Sequence, residues 1–204
     1  MGKIFYIMGK SASGKDKIYG RLAESPELHL KTLVLYTTRP IRSGEEQGKQ
    51  YFFVDNRKLD ELEKAGKVIE RRDYHTVHGI WTYFTADDGQ LDLDADSYLG
   101  IGTLESYEQL KKYFGEKKIC PIYIEVEDGE RLRRATKREG KQSVPNYNEV
   151  CRRFLADEED FSEENILKSG ISRRFENENL DICTEEIKNY IRSEMAGQKS
   201  EEML

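Results

Sequence analysis

Residues 4–17 read IFYIMGKSASGKDK, and the fold turns on how this stretch is read. Ile4 to Met8 is a short apolar run ending at a glycine, the pattern of a buried strand. Gly9, Gly14 and Lys15 then stand at the spacing G-x-x-x-x-G-K. Residues 15–24 follow as an expected helix, with Ile18, Leu22 and Ala23 near one face. A strand, a glycine-rich turn and a helix start together make an anion site. The glycines let the backbone bend toward a phosphate, and successive N–H groups and the helix N-terminus point at negative charge. Lys15 is placed to reach the β- and γ-phosphates of a nucleotide. The alternative, a plain glycine-rich turn, is disfavoured because the strand before and the helix after match the motif as well as the spacing does.

The loop's last position departs from the motif. A Ser or Thr hydroxyl at this point gives Mg²⁺ a neutral oxygen, whereas this chain has Asp16. A carboxylate also suits a hard cation, but its charge stands close to the β-phosphate. The plain alternative is a solvated acid in the first helical turn, favoured by the helix dipole. The two readings stand level here. The expected ATP-binding set is Gly9, Lys10, Ser11, Ala12, Ser13, Gly14, Lys15 and Asp16, with Asp16 also the candidate metal ligand.

The chain has 204 residues, 37% hydrophobic and 35% charged, with a net charge of −6. This length suits a single domain able to bury a core. The acidic balance argues against binding nucleic-acid polymers or anionic membranes, and no apolar run approaches the ~20 residues of a membrane span. The N-terminus enters a strand directly and shows no leader pattern. Cys120, Cys151 and Cys183 lie far apart with no C-x-x-C, as expected of reduced thiols in the cytoplasm.

Further along, residues 31–37 (KTLVLYT) and 51–54 read as strands, with a polar loop at 39–49. Asp55 or Asn56 caps an expected helix ending at Gly66. Residues 68–74 and 80–85 read as a strand pair turning at His78-Gly79. An acidic turn at 87–96 leads to a strand at 97–103 and a helix from Leu104 to Phe114. Residues 119–126 are the most strand-like, with Pro121 suggesting a strand start or an edge. Helices are expected at 128–139, 147–168 and from Thr184, with a frayed end. Strands alternating with helices predict a mostly parallel α/β sheet; the antiparallel-looking pieces at 36–96 predict a separate lobe.

A second motif sits in that lobe. Residues 37–54 read TTRPIRSGEEQGKQYFFV. Two arginines three residues apart can converge on one phosphate through their planar forks, and a tyrosine hydroxyl adds a donor. With the phosphate loop, this run, and VIERRDY after it, the sequence resembles the guanylate kinase family, more weakly through RLRRATKRE and EVCRRFLADEEDF. The resemblance implies a P-loop NTPase core with a mostly parallel sheet flanked by helices, about 1–35, 97–130 and 171–195. A small mixed acceptor-binding lobe at about 36–96 and a helical lid at about 131–170 complete the single domain. It implies transfer of the γ-phosphoryl of ATP, with Mg²⁺, to GMP or dGMP. The acceptor phosphate would then rest on Arg39, Arg42, Tyr51 and Tyr83, and the guanine on Glu70 and Thr85. Arg134, Arg138 and Arg153 would join Lys15 in stabilising the transferring group, since charge neutralisation and alignment are most of what phosphoryl transfer asks of a protein.

Four features depart from that family's pattern. Asp16 replaces the hydroxyl residue. Leu35 stands near where the family often has a serine that touches guanine. The YHTVHGIWT segment is longer than usual. Gly100 and Gly102, within LGIGT, replace two carboxylates. The lost carboxylates and the gained Asp16 suggest a swap within the Mg²⁺ shell. His75 and His78 beside Asp73, and the Asp92, Asp94 and Asp96 run, lack the further ligands of a zinc or calcium site and read as solvated surface. Three functions follow for comparison: a GMP or dGMP kinase, a kinase of this architecture with another phosphorylated acceptor, and a binding module without catalysis. The intact Gly9, Gly14 and Lys15 favour an enzyme.

Overall fold

Residues 4–8 form strand β1 (Ile4–Met8), whose side chains set the two faces of the core. Ile4, Tyr6 and Met8 turn to one side, and Phe5 and Ile7 to the other. All five are fully buried. At roughly 1.5–3 kcal/mol for each large apolar side chain, they anchor the loop that follows. The structure is a computed structural model that describes residues 2–76 and 79–201, with side chains described through residue 197.

In chain order the remaining strands are β2 (Leu30–Thr32), β3 (Tyr36–Thr37), β4 (Phe52–Phe53), β5 (Val68–Thr76), β6 (Gly79–Ala86), β7 (Ser97–Ile101), β8 (Ile119–Glu125) and β9 (Arg174–Glu176). The α-helices are α1 (Lys15–Ala23), α2 (Asn56–Lys64), α3 (Leu104–Phe114), α4 (Asp128–Glu139), α5 (Tyr147–Asp160), α6 (Glu163–Lys168) and α7 (Leu180–Glu201). The core sheet is parallel in the order β2-β7-β1-β8-β9. Ile18 and Leu22 of α1, with Cys183, Ile187 and Ile191 of α7, cover one face. Leu104, Tyr107 and Leu110 of α3 cover the other. A second, mixed sheet runs β4-β3-β6-β5, closed by Leu59 and Leu62 of α2 against Phe84. This is the α/β fold expected, with a mostly parallel core and a mixed second sheet.

Several boundaries differ from the sequence expectation. The run KTLVLYT is two strands, because the chain changes sheets within it. The Leu33 N–H donates to Leu99 of β7 at 2.9 Å, and the Leu35 carbonyl accepts from Phe52 of β4 at 2.8 Å. Residues 147–168 are two helices. Phe161 leaves helical geometry and stacks its buried ring on Tyr123 at 5.7 Å, and Ser162 then caps α6. The last helix begins at Leu180 rather than Thr184 and continues to Glu201, so the fraying expected from residue 196 is not seen there; residues 202–204 lie outside the described residues. β8 is not an edge strand, but its pairing with β9 starts at Tyr123, so Pro121 stands where β8 has a single neighbour. The short β9 had no counterpart in the sequence reading. Asp55, not Asn56, caps α2, accepting from Lys58 N–H at 2.8 Å. The hairpin's strands form as expected; of its turn, Val77 and His78 lie outside the described residues. Cys120, Cys151 and Cys183 are unpaired thiols, and among the described residues no helix is long and apolar enough to cross a membrane.

Candidate active site

The glycine-rich loop leaves the carboxyl end of β1, the end of a parallel α/β sheet where ligands bind. Its glycines are sterically required. A β-carbon on Gly9 would stand 2.5 Å from the Ile124 carbonyl oxygen, and one on Gly14 2.5 Å from Asn177 Nδ2. Gly14 has φ 88° and forms the N-cap of α1. Ala12 has φ 64°, a left-handed conformation uncommon for a residue with a side chain. Asn177, just past β9, donates its side-chain amide to the Ser13 carbonyl at 2.7 Å and pins the loop from below. The Ser13 hydroxyl is buried with no partner among the described residues. No side chain caps α1, so its first N–H groups are left for an external acceptor. Lys15 is half-buried and Asp16 exposed; neither has an ion-pair partner among the described residues.

Helices α4 and α5 grip the other side of the loop. Lys10 donates to Glu158 at 2.7 Å and lies 3.7 Å from Asp128. The Ser11 N–H donates to Asp157 at 2.7 Å. Arg131, 1% exposed, donates to Asp128 at 2.8 Å, to Glu158, and to the Ser11 carbonyl at 3.3 Å, with Phe154 packed under its guanidinium. Partial burial pushes the Asp128 carboxyl up, but its bond to Arg131 and the nearby Lys10 outweigh this and hold it below the usual range.

The candidate catalytic arginines fall into three settings. Arg134 donates to Glu130 at 2.7 Å and to the Asn177 carbonyl at 3.0 Å, so it reaches the phosphate loop through Asn177. Arg153 is held by Glu149 at 2.6 Å beside Arg152, and hydrogen bonds from Arg152 and Arg153 bring the Glu149 carboxyl down to about 2. Arg138 is exposed and has no ion-pair partner among the described residues.

A cleft of about 780 Å³ lies between the two sheets, lined by Leu35, Arg42, Tyr51, Arg72, Tyr83 and Arg153 among others. Arg42 sits over the Trp81 ring at 5.9 Å, and Tyr51 meets Tyr83 edge-on at 5.5 Å. Arg39 is placed differently. It is 3% exposed, forks onto Glu45 at 2.7 and 3.0 Å, and donates to the Tyr83 hydroxyl at 3.1 Å and to the Pro40 carbonyl at 2.8 Å. Most of its donors are therefore committed to shaping the loop. Only Arg42, Tyr51 and Tyr83 of the expected phosphate group face the cleft.

Glu70 and Thr85 are neighbours, with the Thr85 hydroxyl donating to Glu70 at 2.8 Å. Both are buried. What the sequence reading missed is Arg72, whose Nε and Nη2 donate to the two Glu70 oxygens at 2.9 and 3.3 Å. Burial opposes the charged guanidinium, and the field of Glu70 overrides it, so the Arg72 pKa stands above the ordinary value. Losing one partner of such a buried pair costs roughly 3–5 kcal/mol. The signal was available, since residues 70 and 72 point to the same face of a strand.

Gly100 and Gly102 have a steric cause. Tyr6 is the cross-strand neighbour of Gly100. A β-carbon on Gly100 would stand 2.6 Å from the Tyr6 ring, and one on Gly102 2.0 Å from its hydroxyl. That hydroxyl bonds Ser106 at 2.8 Å, and Ser106 closes the Thr103 capping box of α3. No group of three or more metal-ligating side chains exists among the described residues. Asp92 instead caps its own turn at 3.1 Å, and Asp96 pairs with Lys31 at 2.5 Å. Mg²⁺ needs little from a protein, often one carboxylate alongside substrate phosphates and waters. Asp16 is an exposed carboxylate in the first turn of α1.

The guanylate kinase family model matches residues 1–194. The guanylate kinase of Mycoplasma mobile is 28% identical over 195 residues, covering 95% of this chain and 94% of that one. That of Wolbachia pipientis wMel is 27% identical, covering 95% and 90%. The match to the Mycoplasma mycoides guanylate kinase is 41% identical but spans 69 residues, 34% of this chain and 23% of that protein. A crystal structure of guanylate kinase from Anaplasma phagocytophilum superposes with a TM-score of 0.67 at 21% identity, covering 95% and 86%, which shows a shared fold. From the phosphate loop to the last helix, the chain belongs to the guanylate kinase family, a family of nucleoside monophosphate kinases.

Proposed function

We propose that this chain transfers the γ-phosphoryl group of ATP to the phosphate of a nucleoside monophosphate, with GMP or dGMP as the acceptor the family reading names. The observation that carries it is the uncapped N-terminus of α1 behind Gly14, with Lys15 at its start. An oxygen of the acceptor phosphate attacks the γ-phosphorus, the bond to the β–γ bridging oxygen breaks, and ADP leaves. The attacking phosphate is already anionic, so no general base is needed. The N–H groups of the loop and Lys15 hold the β- and γ-oxygens. Arg42, Tyr51 and Tyr83 hold the acceptor phosphate, with Arg39 shaping their loop through Glu45. Arg134, Arg138 and Arg153 reach the transferring group when α4 and α5 close over it, which also keeps water away. Arg153 must first leave Glu149. Asp16 would hold Mg²⁺, which when bound shields the charge of the triphosphate. A cytoplasmic setting, where ATP is supplied and thiols stay reduced, goes with this reading.

A coupled ADP-release assay across nucleoside monophosphates tests the proposal. Turnover with any of them supports a kinase. Thermal stabilisation by nucleotide without turnover would point instead to a binding module. Asp16→Ser tests the metal assignment: the Mg²⁺ concentration for half-maximal rate is expected to shift several-fold, because a charged ligand becomes neutral. An unchanged Mg²⁺ profile would remove Asp16 from the metal shell.

A further inference from the structure

The base end of the cleft is chemically unlike a guanine reader. Guanine presents a carbonyl, an N–H and an amino group along its pairing edge, so a carboxylate reading it must offer two acceptor positions. In this chain Glu70 has little to offer. Its Oε1 accepts from Thr85 at 2.8 Å and from Arg72 Nη2 at 3.3 Å, and its Oε2 accepts from Arg72 Nε at 2.9 Å. Each carboxylate oxygen has about two lone-pair positions, so one position remains, on Oε2. The Glu70 side chain is 1% exposed, and Arg72 rather than Glu70 lines the cleft. Of the guanidinium's remaining N–H groups, one leans toward the Thr103 hydroxyl at 3.4 Å and the others have no hydrogen-bond partner among the described residues. Leu35, also lining the cleft, offers no hydroxyl. The pair therefore presents donors beside a single acceptor.

Resting on the kinase reading above, we propose that Arg72 determines the acceptor. The Arg72–Glu70 pair reads an imide edge, the carbonyl, N–H, carbonyl sequence of a uracil-, thymine- or xanthine-type base. The base N–H donates to the free position on Glu70, and Arg72 donates to a flanking carbonyl. Once guanine's N–H takes the one free position on Glu70, its amino group finds no acceptor, a polar mismatch that sites of this kind penalise strongly.

The test measures kcat/KM of the wild-type protein for GMP, XMP, UMP and dTMP, and repeats it with Arg72→Ala and Arg72→Gln. Wild type is expected to prefer an imide nucleotide over GMP by at least about 10²-fold. XMP against UMP and dTMP separates the purine from the pyrimidine source. Both substitutions are expected to shift the ratio toward GMP, and a ratio is not moved by a general loss of folding. A wild-type preference for GMP overturns the inference and leaves the kinase reading standing. If no acceptor is phosphorylated, the kinase reading fails. Equilibrium dialysis of the same nucleotides then decides the inference: tighter imide binding upholds it, and tighter GMP binding overturns it.

Discussion

Replacing Lys15 by methionine is expected to reduce turnover by about 10³-fold or more while leaving the fold intact. The expectation rests on what Lys15 does not do. It makes no ion pair among the described residues, whereas Lys10, five residues earlier, is held by Glu158 and Asp128. Lys10 therefore serves the packing of α4 and α5 on the loop, and Lys15 is left as the charge that the proposed function assigns to the ligand. Methionine has similar length and apolar bulk, so the half-buried stem still packs and only the charge is lost. Saturating-ATP kcat and the thermal midpoint should be measured together. A fall in rate at an unchanged midpoint fits a charge acting on the γ-phosphoryl group. Activity within tenfold of wild type would move the catalytic charge to Arg134, Arg138 or Arg153.

The parts of this molecule that were legible in the sequence are those set by neighbours along the chain. IFYIM followed by G-x-x-x-x-G-K fixes a strand, a turn and a helix within about twenty residues, and the structure has all three. Alternation placed β5 and β6, and D-N-x-x-L placed the start of α2. The apolar run KTLVLYT carries no mark of where the chain leaves one sheet for the other, because both sheets want apolar residues there. Arg131 illustrates a second limit. In a helix as charged as α4 every arginine reads as solvated, and only the packing of α5 shows that this one is 1% exposed. Asn177 had no local signal, since its amide serves a carbonyl 164 residues away. The Tyr6–Gly100 relation depends on the register of β1 against β7, which is likewise invisible along the chain.

That last relation yields the largest expected effect on stability. Restoring the carboxylate as Gly102→Asp is expected to destabilise the fold by about 3 kcal/mol or more. The new β-carbon would stand 2.0 Å from the Tyr6 hydroxyl and 2.7 Å from Ser106 Oγ. Neither can retreat freely, because Tyr6 is fully buried in the face covered by α3 and Ser106 completes that helix's cap. Tyr6→Val alone is also expected to cost about 3 kcal/mol, through the cavity it leaves. The pair Tyr6→Val with Gly102→Asp should cost clearly less than the sum of the two, since the aspartate then occupies space the ring vacates. Urea midpoints of the four proteins give the coupling. Strong coupling would mean that the two glycines follow from the tyrosine in β1, independently of the metal. Additive losses would break that link and return weight to the idea that Asp16 replaces the missing carboxylates. Measuring the Mg²⁺ profile of the double variant, with and without Asp16→Ser, then separates the two causes. A carboxylate at 102 that relieves the need for Asp16 is the result the exchange requires.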